Sequence, residues 1–428
     1  MRSIGLDVHR DFCEVAISEG GRARSAGRVE TTPEQLELFA RSLAPDDRVV
    51  LEATGNALAI LRILEPHVDE VVLAHPKQLR AISHAKVKSD KVDARMLAEL
   101  LVADLIPRVW VGDERTRMLR RRVSRRRGLV KQVIAVKNAA SAVLVRNLKR
   151  RPELSDLFGR AGRAWLEALA LPEDERETLD ACLRQLDFLR EELARVDRAI
   201  AETALGCQDI RRLMTIPGID VTTAATLMAV IGDVRRFSSA KHLVGYLGLH
   251  PRLRQSGSSP ARQGRTSKEG SAAARHVLVE AAWSAARSPG PLRAFAQRTA
   301  ARRGKNVATV AVARKLCVLC WHLLSRGEDY AFQRPSLVRR KIRTLERRAG
   351  APRASPGPSG APLWTRPADD RRERQLAEQA EAAYRRLVTD WQASRPKRGA
   401  GATPGRASSR PSMRQAARQT SKPQRPAL

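Results

Sequence analysis

Five short β-rich runs crowd the start of the chain: SIGLDV at 3–8, FCEVAIS at 12–18, a third at 24–30, RVVLEA at 48–53 and EVVLA at 70–74. The first three follow one another too closely for an intervening helix, so they pair in hairpin succession. Helical patterns at TTPEQLELFARSL and NALAILRILEP then alternate with the later runs. A chain written this way folds into a mixed α/β domain, expected over residues 1–108. No G-x-G-x-x-G is present, which argues against a dinucleotide-binding sheet.

Asp7 closes the first run and Glu52 the fourth. If those strands lie side by side and parallel, both carboxylates reach one edge of the sheet. Asp90 and Asp93 in KSDKVDA stand three apart at the opening of a helix and share a face. Singly, each aspartate is an ordinary helix cap or dipole partner, and Asp90 in particular sits where a cap belongs. Glu52 is more informative, since it ends an apolar strand and has no capping duty unless Thr54 caps the next helix. Four carboxylates together need a cation. A hard, oxygen-seeking ion, Mg²⁺ or Mn²⁺, suits them, and two such ions stabilise the attacking and leaving oxygens of an in-line displacement. The chemistry indicated is phosphodiester transfer. His9 and His75 beside these strands read as solvated or hydrogen-bonded structural histidines.

Charge points to the partner. Lys and Arg number 79 against 46 Asp and Glu, a formal net charge of +33 spread over several segments, which calls for a polyanion. Charge alone leaves nucleic acid, acidic membrane and ribosome equally open. Residues 109–207 read as a helical arm. In its first half Arg120, Arg121, Arg122, Arg125, Arg126 and Arg127 put six arginines in eight residues, a phosphate-binding face or a solvated one. In its second half Leu179, Leu183, Leu186, Leu189, Leu193, Val196 and Ile200 keep near-heptad spacing, a coiled-coil pattern that either joins two subunits or folds back within the chain. The five cysteines are scattered and odd in number, which fits a reducing cytoplasm. Cys317 and Cys320 form a C-x-x-C inside an apolar helical pattern and read as buried thiols, not as a zinc site. No apolar run is expected to approach the length of a bilayer span and no signal peptide is recognised, so the expected protein is cytoplasmic, without a membrane partner.

A compact, mainly helical region is expected over 208–332. Its opening, RRLMTIPGIDVTTAATLMAV, has the I-P-G-I turn of a helix-hairpin-helix, which either offers backbone N–H groups to a phosphate or is simply a structural hairpin. Further on, Ser256 stands in a polar Gly- and Ser-rich loop among Arg252, Arg254, Arg262, Arg265 and Lys268. Such cations stabilise charge developing on phosphoryl oxygens, while a serine needs a base or a polarised phosphate to attack. Residues 333–428 read as a basic, largely disordered tail with one helical segment near 369–392, either a non-specific nucleic-acid binder or a dispensable extension.

The motifs GLDVH, LEATG and KSDKVDA resemble the signature of the DEDD insertion-sequence transposases, relatives of the Piv-type invertases. The first domain of that family is similar to the RuvC Holliday-junction resolvase, in line with strands in hairpin succession followed by alternating helix and strand, the order expected of a ribonuclease-H-like sheet. GYLGL, R-Q-S-G, G-R-T-S-K-E-G and Arg275 are similar to the family's second block, in which the serine before glycine is the proposed nucleophile; Ser256 matches it. The resemblance implies a composite site. Asp7, Glu52, Asp90 and Asp93 with their metal activate a phosphate, Ser256 attacks it to form a phosphoserine link, and DNA strands of element ends and target are exchanged. It also implies a nucleoid-associated homo-oligomer, dimer or tetramer, guided by a structured non-coding RNA. The loop SGSSPARQGRTSK departs from the usual run by an extra residue and Pro260, and the tail exceeds the usual family end. A metal-dependent nuclease without a protein nucleophile is the alternative.

Overall fold

The computed structural model describes residues 1–82, 89–255, 257, 262–352 and 367–394. Strands β1 (Ser3–Val8), β2 (Phe12–Glu19) and β3 (Arg22–Glu30) pair antiparallel, while β4 (Arg48–Glu52) and β5 (Glu70–Ala74) continue the sheet in parallel beyond β1. The resulting order, β3-β2-β1-β4-β5, fits a ribonuclease-H-like domain. Side chains alternate across it as a pleated sheet requires. Ile4, Leu6, Val49 and Leu51 join the core beneath α1 (Pro33–Arg41) and α2 (Ala57–Leu64). Val50 and Val72 face the other way, onto α3 (Pro76–Ile82) and α4 (Asp90–Val102). Gly5 faces the same way as Val50, and the approach is close: a Cβ there would lie 2.1 Å from the Ala94 carbonyl oxygen and 2.7 Å from the Ala98 nitrogen. Glycine is what lets α4 lie directly on β1.

The helical arm is formed by α5 (Glu114–Arg146), α6 (Arg160–Glu167) and α7 (Glu173–Leu205). Here the chain folds back on itself. Leu179, Leu183 and Leu186 of α7 pack with Val143 and Leu144 of α5, so the heptad-like seam is covered within the chain. Most of the α5 arginines read as a phosphate face are spent on α7 or on one another's neighbours. Arg125 pairs with Glu192, Arg126 with Asp197, Arg121 with Glu114, and Arg122 donates to the Ala199 carbonyl and Thr203.

The rest comprises α8 (Gln208–Met214), α9 (Val221–Ile231), a 3₁₀ turn (Val234–Arg236), α10 (Ala240–Tyr246), a ribbon of β6 (Pro251–Arg254) and β7 (Arg262–Thr266), α11 (Ala272–Ala285), α12 (Pro291–Arg303), α13 (Lys305–Arg326), α14 (Pro335–Arg348) and α15 (Pro367–Ala393). One core runs through it from Leu119 and Val123 of α5, through Ile200 and Ala204 of α7, to Val312, Leu316, Cys317 and Cys320 of α13 and Leu345 of α14. It therefore crosses the boundaries expected at 207 and 332. Burial pushes the Cys317 thiol up to about 12 and the Cys320 thiol well above its ordinary value, the behaviour of packing thiols.

Four readings change in consequence. Helix α14, left in the tail by the sequence, is part of the core through Leu345; its one apolar stripe is short and lies between arginines, which hid it. The I-P-G-I turn is buried at Ile216 and Ile219, Gly218 (φ +87°) lies against the Ala281 carbonyl, and the Lys341 ammonium donates to the Met214, Ile216 and Ile219 carbonyls at 2.6, 2.8 and 2.8 Å. That turn is a packed hairpin whose carbonyls are held by Lys341. The polar loop around Ser256 is flanked by two paired strands. Lastly, α5 and α13 each hold an apolar window long enough to cross a membrane by length and composition, contrary to expectation. Lysines and arginines interrupt the runs and hid them. Half of the α13 window is buried in the core, and 17% of the α5 window is buried.

Residues after α4 join the sheet domain to this core. Arg108 bridges to Ala74, and the Val109 amide donates to the Leu73 carbonyl at 2.7 Å. Val109 and Val111 turn into the sheet core, and Trp110 between them points out of it. There the Arg236 guanidinium lies 4.3 Å from the Trp110 ring centre, 4.2 Å from that of Phe237 and 4.4 Å from that of Tyr246. A Cβ on Gly232 would lie 2.0 Å from the indole. Arg120, expected on nucleic acid, stands over the same indole and donates to the Ala229 carbonyl at 2.6 Å. Cation–π contact of a half-buried guanidinium ties the two bodies together.

Candidate active site

Register places the first two carboxylates. β1 and β4 run parallel with Leu6 opposite Leu51, so Asp7 and Glu52 are the next residues on neighbouring strands and reach the same edge. Asn56, after β4, donates to the His9 carbonyl at 3.1 Å and ties together the two loops that leave this edge. Thr54 bonds the Asn56 side chain and does not cap α2. Helix α4, seated on Gly5, supplies the aspartates. Its cap is Ser89, whose hydroxyl accepts from the Val92 amide, so Asp90 is freed from capping and stands in the first turn with Asp93.

His9 lies between the two elements. Its Nε2 is 3.2 Å from Asp7 Oδ2 and 3.4 Å from Asp90 Oδ2. Among the described residues, Asp7, His9 and Asp90 form the group whose possible ligand atoms all lie within 4.8 Å of one another, a group that does not include Glu52 or Asp93. Burial raises the pKa of Asp7, His9 lowers it, and the charges of Asp93 and Asp90 raise it further. Three aspartates thus share one field, in which a positive charge is favourable. The oxygen-rich donor set fits a hard divalent cation. Sequence reasoning passed over His9 as structural; the signal was its place two residues after Asp7, in a turn that returns at once into β2. His75 stays apart from this group, with its Nδ1 buried and without a hydrogen-bond partner.

The second block is held by close backbone contacts. A Cβ on Gly248 would lie 1.7 Å from the Glu269 carbonyl oxygen, and one on Gly270 2.0 Å from that of Tyr246. Arg275 donates to the Leu247, Glu269 and Gly270 carbonyls at 3.1, 3.2 and 3.1 Å. GYLGL and KEG are therefore one packed knot at the base of the ribbon. In the ribbon Arg254 pairs with Arg262 in register. Arg262, Arg265 and Lys268 are exposed, and Arg252 donates to the Ser267 carbonyl at 3.3 Å. Ser256 and the side chain of Arg254 lie outside the described residues. Of the arm residues expected on nucleic acid, Arg120 is a joint residue, and Arg121 and Arg125 are in ion pairs with exposed outer surfaces.

Comparison with known proteins returns matches over both halves. Residues 4–147 match the model of DEDD transposases of the IS110 kind, and residues 210–297 match the Transposase IS116/IS110/IS902 family. The chain is 26% identical over 347 residues to a Coxiella burnetii protein described as the transposase for insertion sequence element IS1111A, covering 77% of this chain and 91% of the relative. It is 29% identical over 317 residues to a probable family 20 transposase of Pseudomonas aeruginosa, covering 69% and 89%. A pilin gene-inverting protein of Moraxella lacunata is 26% identical over 296 residues, covering 66% and 81%.

Proposed function

Because this chain belongs to the DEDD-type insertion-sequence transposases, enzymes that act on DNA, we propose that it exchanges DNA strands through a serine-linked intermediate formed beside a metal-holding acidic edge. The observation that carries the metal half is the gathering of Asp7, His9 and Asp90 at the junction of β1 and α4. Asp7, Glu52, Asp90 and Asp93 are the ligands, and His9 orients Asp7 and Asp90. A divalent ion, Mg²⁺ or Mn²⁺, bound there supplies positive charge opposite the phosphate oxygens. Burial and the charges of Asp93 and Asp90 raise the pKa of Asp7, and a cation held there would favour its ionised form.

The serine half rests on the motif and on the charged ribbon around it. Ser256 Oγ attacks phosphorus, a P–O bond to serine forms as the bond to the leaving deoxyribose oxygen breaks, and the serine proton ends on that oxygen. Arg262, Arg265 and Lys268 offset charge on the non-bridging oxygens. The joined product forms by the reverse attack of a second deoxyribose hydroxyl, which releases the serine. We infer also that the protein acts as a dimer or tetramer on nucleoid DNA, and that a structured non-coding RNA of the element supplies sequence choice.

The test is incubation of protein with labelled junction DNA, flanking non-coding RNA and Mg²⁺, followed by a denaturing gel. The expected result is a protein–DNA adduct that Ser256→Ala abolishes and that requires the RNA. Cut DNA with no adduct, retained in Ser256→Ala, would replace the serine route by metal-dependent hydrolysis.

A further inference from the structure

The counter-ion pattern differs sharply between the two ends of the molecule. On the arm most of the α5 arginines have carboxylate or carbonyl partners, and in the docking of α15 on α12 the buried Glu381 takes Arg293, Arg385 and the Gly290 amide. A few residues on, Arg302, Arg303 and Lys305 are exposed with no carboxylate within ion-pair distance among the described residues. Arg302 and Arg303 line a cleft of about 380 Å³ between α12, the start of α13 and the end of α15, and Lys305 follows them at the opening of α13. The cleft walls include Phe295 and Trp391, the latter 57% exposed, with Arg298 stacked between Phe295 and Tyr384.

We propose that this cleft binds an unpaired segment of the DNA substrate, with a base on the Trp391 and Phe295 rings and the flanking phosphates on Arg302, Arg303 and Lys305. Unneutralised guanidinium and ammonium groups mark a polyanion site, and a base in the cleft stacks on an aromatic face whatever its identity. The cleft admits a base or two and is far too narrow for a duplex, whose bases already stack on one another. The residues lie beyond the two family-matched stretches, 4–147 and 210–297, apart from Phe295, so this site is an addition by α15 to the common machinery. The inference rests on the reading that the protein works on DNA, yet it does not depend on the serine route.

The test is photocross-linking of the full-length protein to a twelve-residue oligothymidylate carrying one 5-iododeoxyuridine, with the cross-linked peptide mapped. Cross-links are expected on peptides containing Phe295 or Trp391. Trp391→Ala lowers their yield about fivefold or more. The double change Arg302→Glu and Arg303→Glu removes them and reduces the salt slope of oligonucleotide binding by about 1.4 or more. Thermal melting checks that both variants are folded; should loss of the indole loosen α15, the arginine pair still decides. Cross-links mapping only elsewhere, or yields unmoved by either change, overturn the proposal. Cross-linking of an oligouridylate at the cleft with none from the DNA assigns it to RNA and overturns the DNA commitment. Adduct formation at Ser256 is read separately, so failure here and failure of the serine chemistry are distinguishable.

Discussion

Asp7 resists ionisation because it is buried and faces Asp93 and Asp90, with His9 opposing them in part. A carboxyl whose folded pKa is raised binds more protons folded than unfolded between pH 3.8 and that raised value, so it contributes stability at low pH that is lost as pH rises through it. In the metal-free protein Asp7→Asn should therefore raise the melting temperature at pH 7, with the gain shrinking toward pH 4. The same variant should lose both strand exchange and the stabilisation that Mg²⁺ gives the parent. Melting curves with chelator and with Mg²⁺ at the two pH values check this; a parent indifferent to Mg²⁺ would count against the metal site. His9→Ala should weaken Mg²⁺ binding by roughly 10-fold, read by calorimetry, if its part is to orient Asp7 and Asp90.

At the level of elements, the contact between β1 and α4 sets the site. Gly5→Ala forces a Cβ onto the Ala94 carbonyl and must lift α4, at a cost of about 1–3 kcal/mol in denaturant melts, with strand exchange falling more than DNA affinity. Lys341→Met leaves the Met214 and Ile219 carbonyls of the α8–α9 turn without that donor, takes one of two from Ile216, and should cost about 2–4 kcal/mol. Much of this was legible beforehand: the strands, because β4 is apolar on both faces, and the acidic edge, because Asp7 and Glu52 stand at the ends of neighbouring apolar runs. The ribbon was not, since Arg, Gln and Gly in RQGRT carry no β-forming pattern. Neither was the fate of the α5 arginines, because pairing with Glu192 or Asp197 spans some seventy positions and leaves no local mark. Helix α14 was missed for a similar reason: Leu345 and Lys341 acquire meaning only against α7 and the turn they close.

Across the whole molecule, the Trp110–Arg236 joint holds the acidic edge in place relative to the ribbon domain. Trp110→Ala should leave DNA binding intact, open the segment 103–113 to protease and reduce strand exchange by 10-fold or more, on the general ground that misplacing reacting groups by an ångström costs about that much. The two ends of the core make a second prediction, since a chain ending at 352 keeps Leu345 and Lys341 whereas one ending at 332 lacks both. The longer should melt cooperatively and the shorter should aggregate, as checked by calorimetry and light scattering.

That core also fixes the order of events during translation. The sheet closes from residues within the first 111 and can form while the chain is still being made. The second body joins Leu119 to Leu345 and cannot close until α14 has left the ribosome. A nascent chain thus carries its acidic edge before its second body has closed, and a product terminated before Leu345 lacks the closed second body. Emergence of α14 is the step that lets the second body close beside the first.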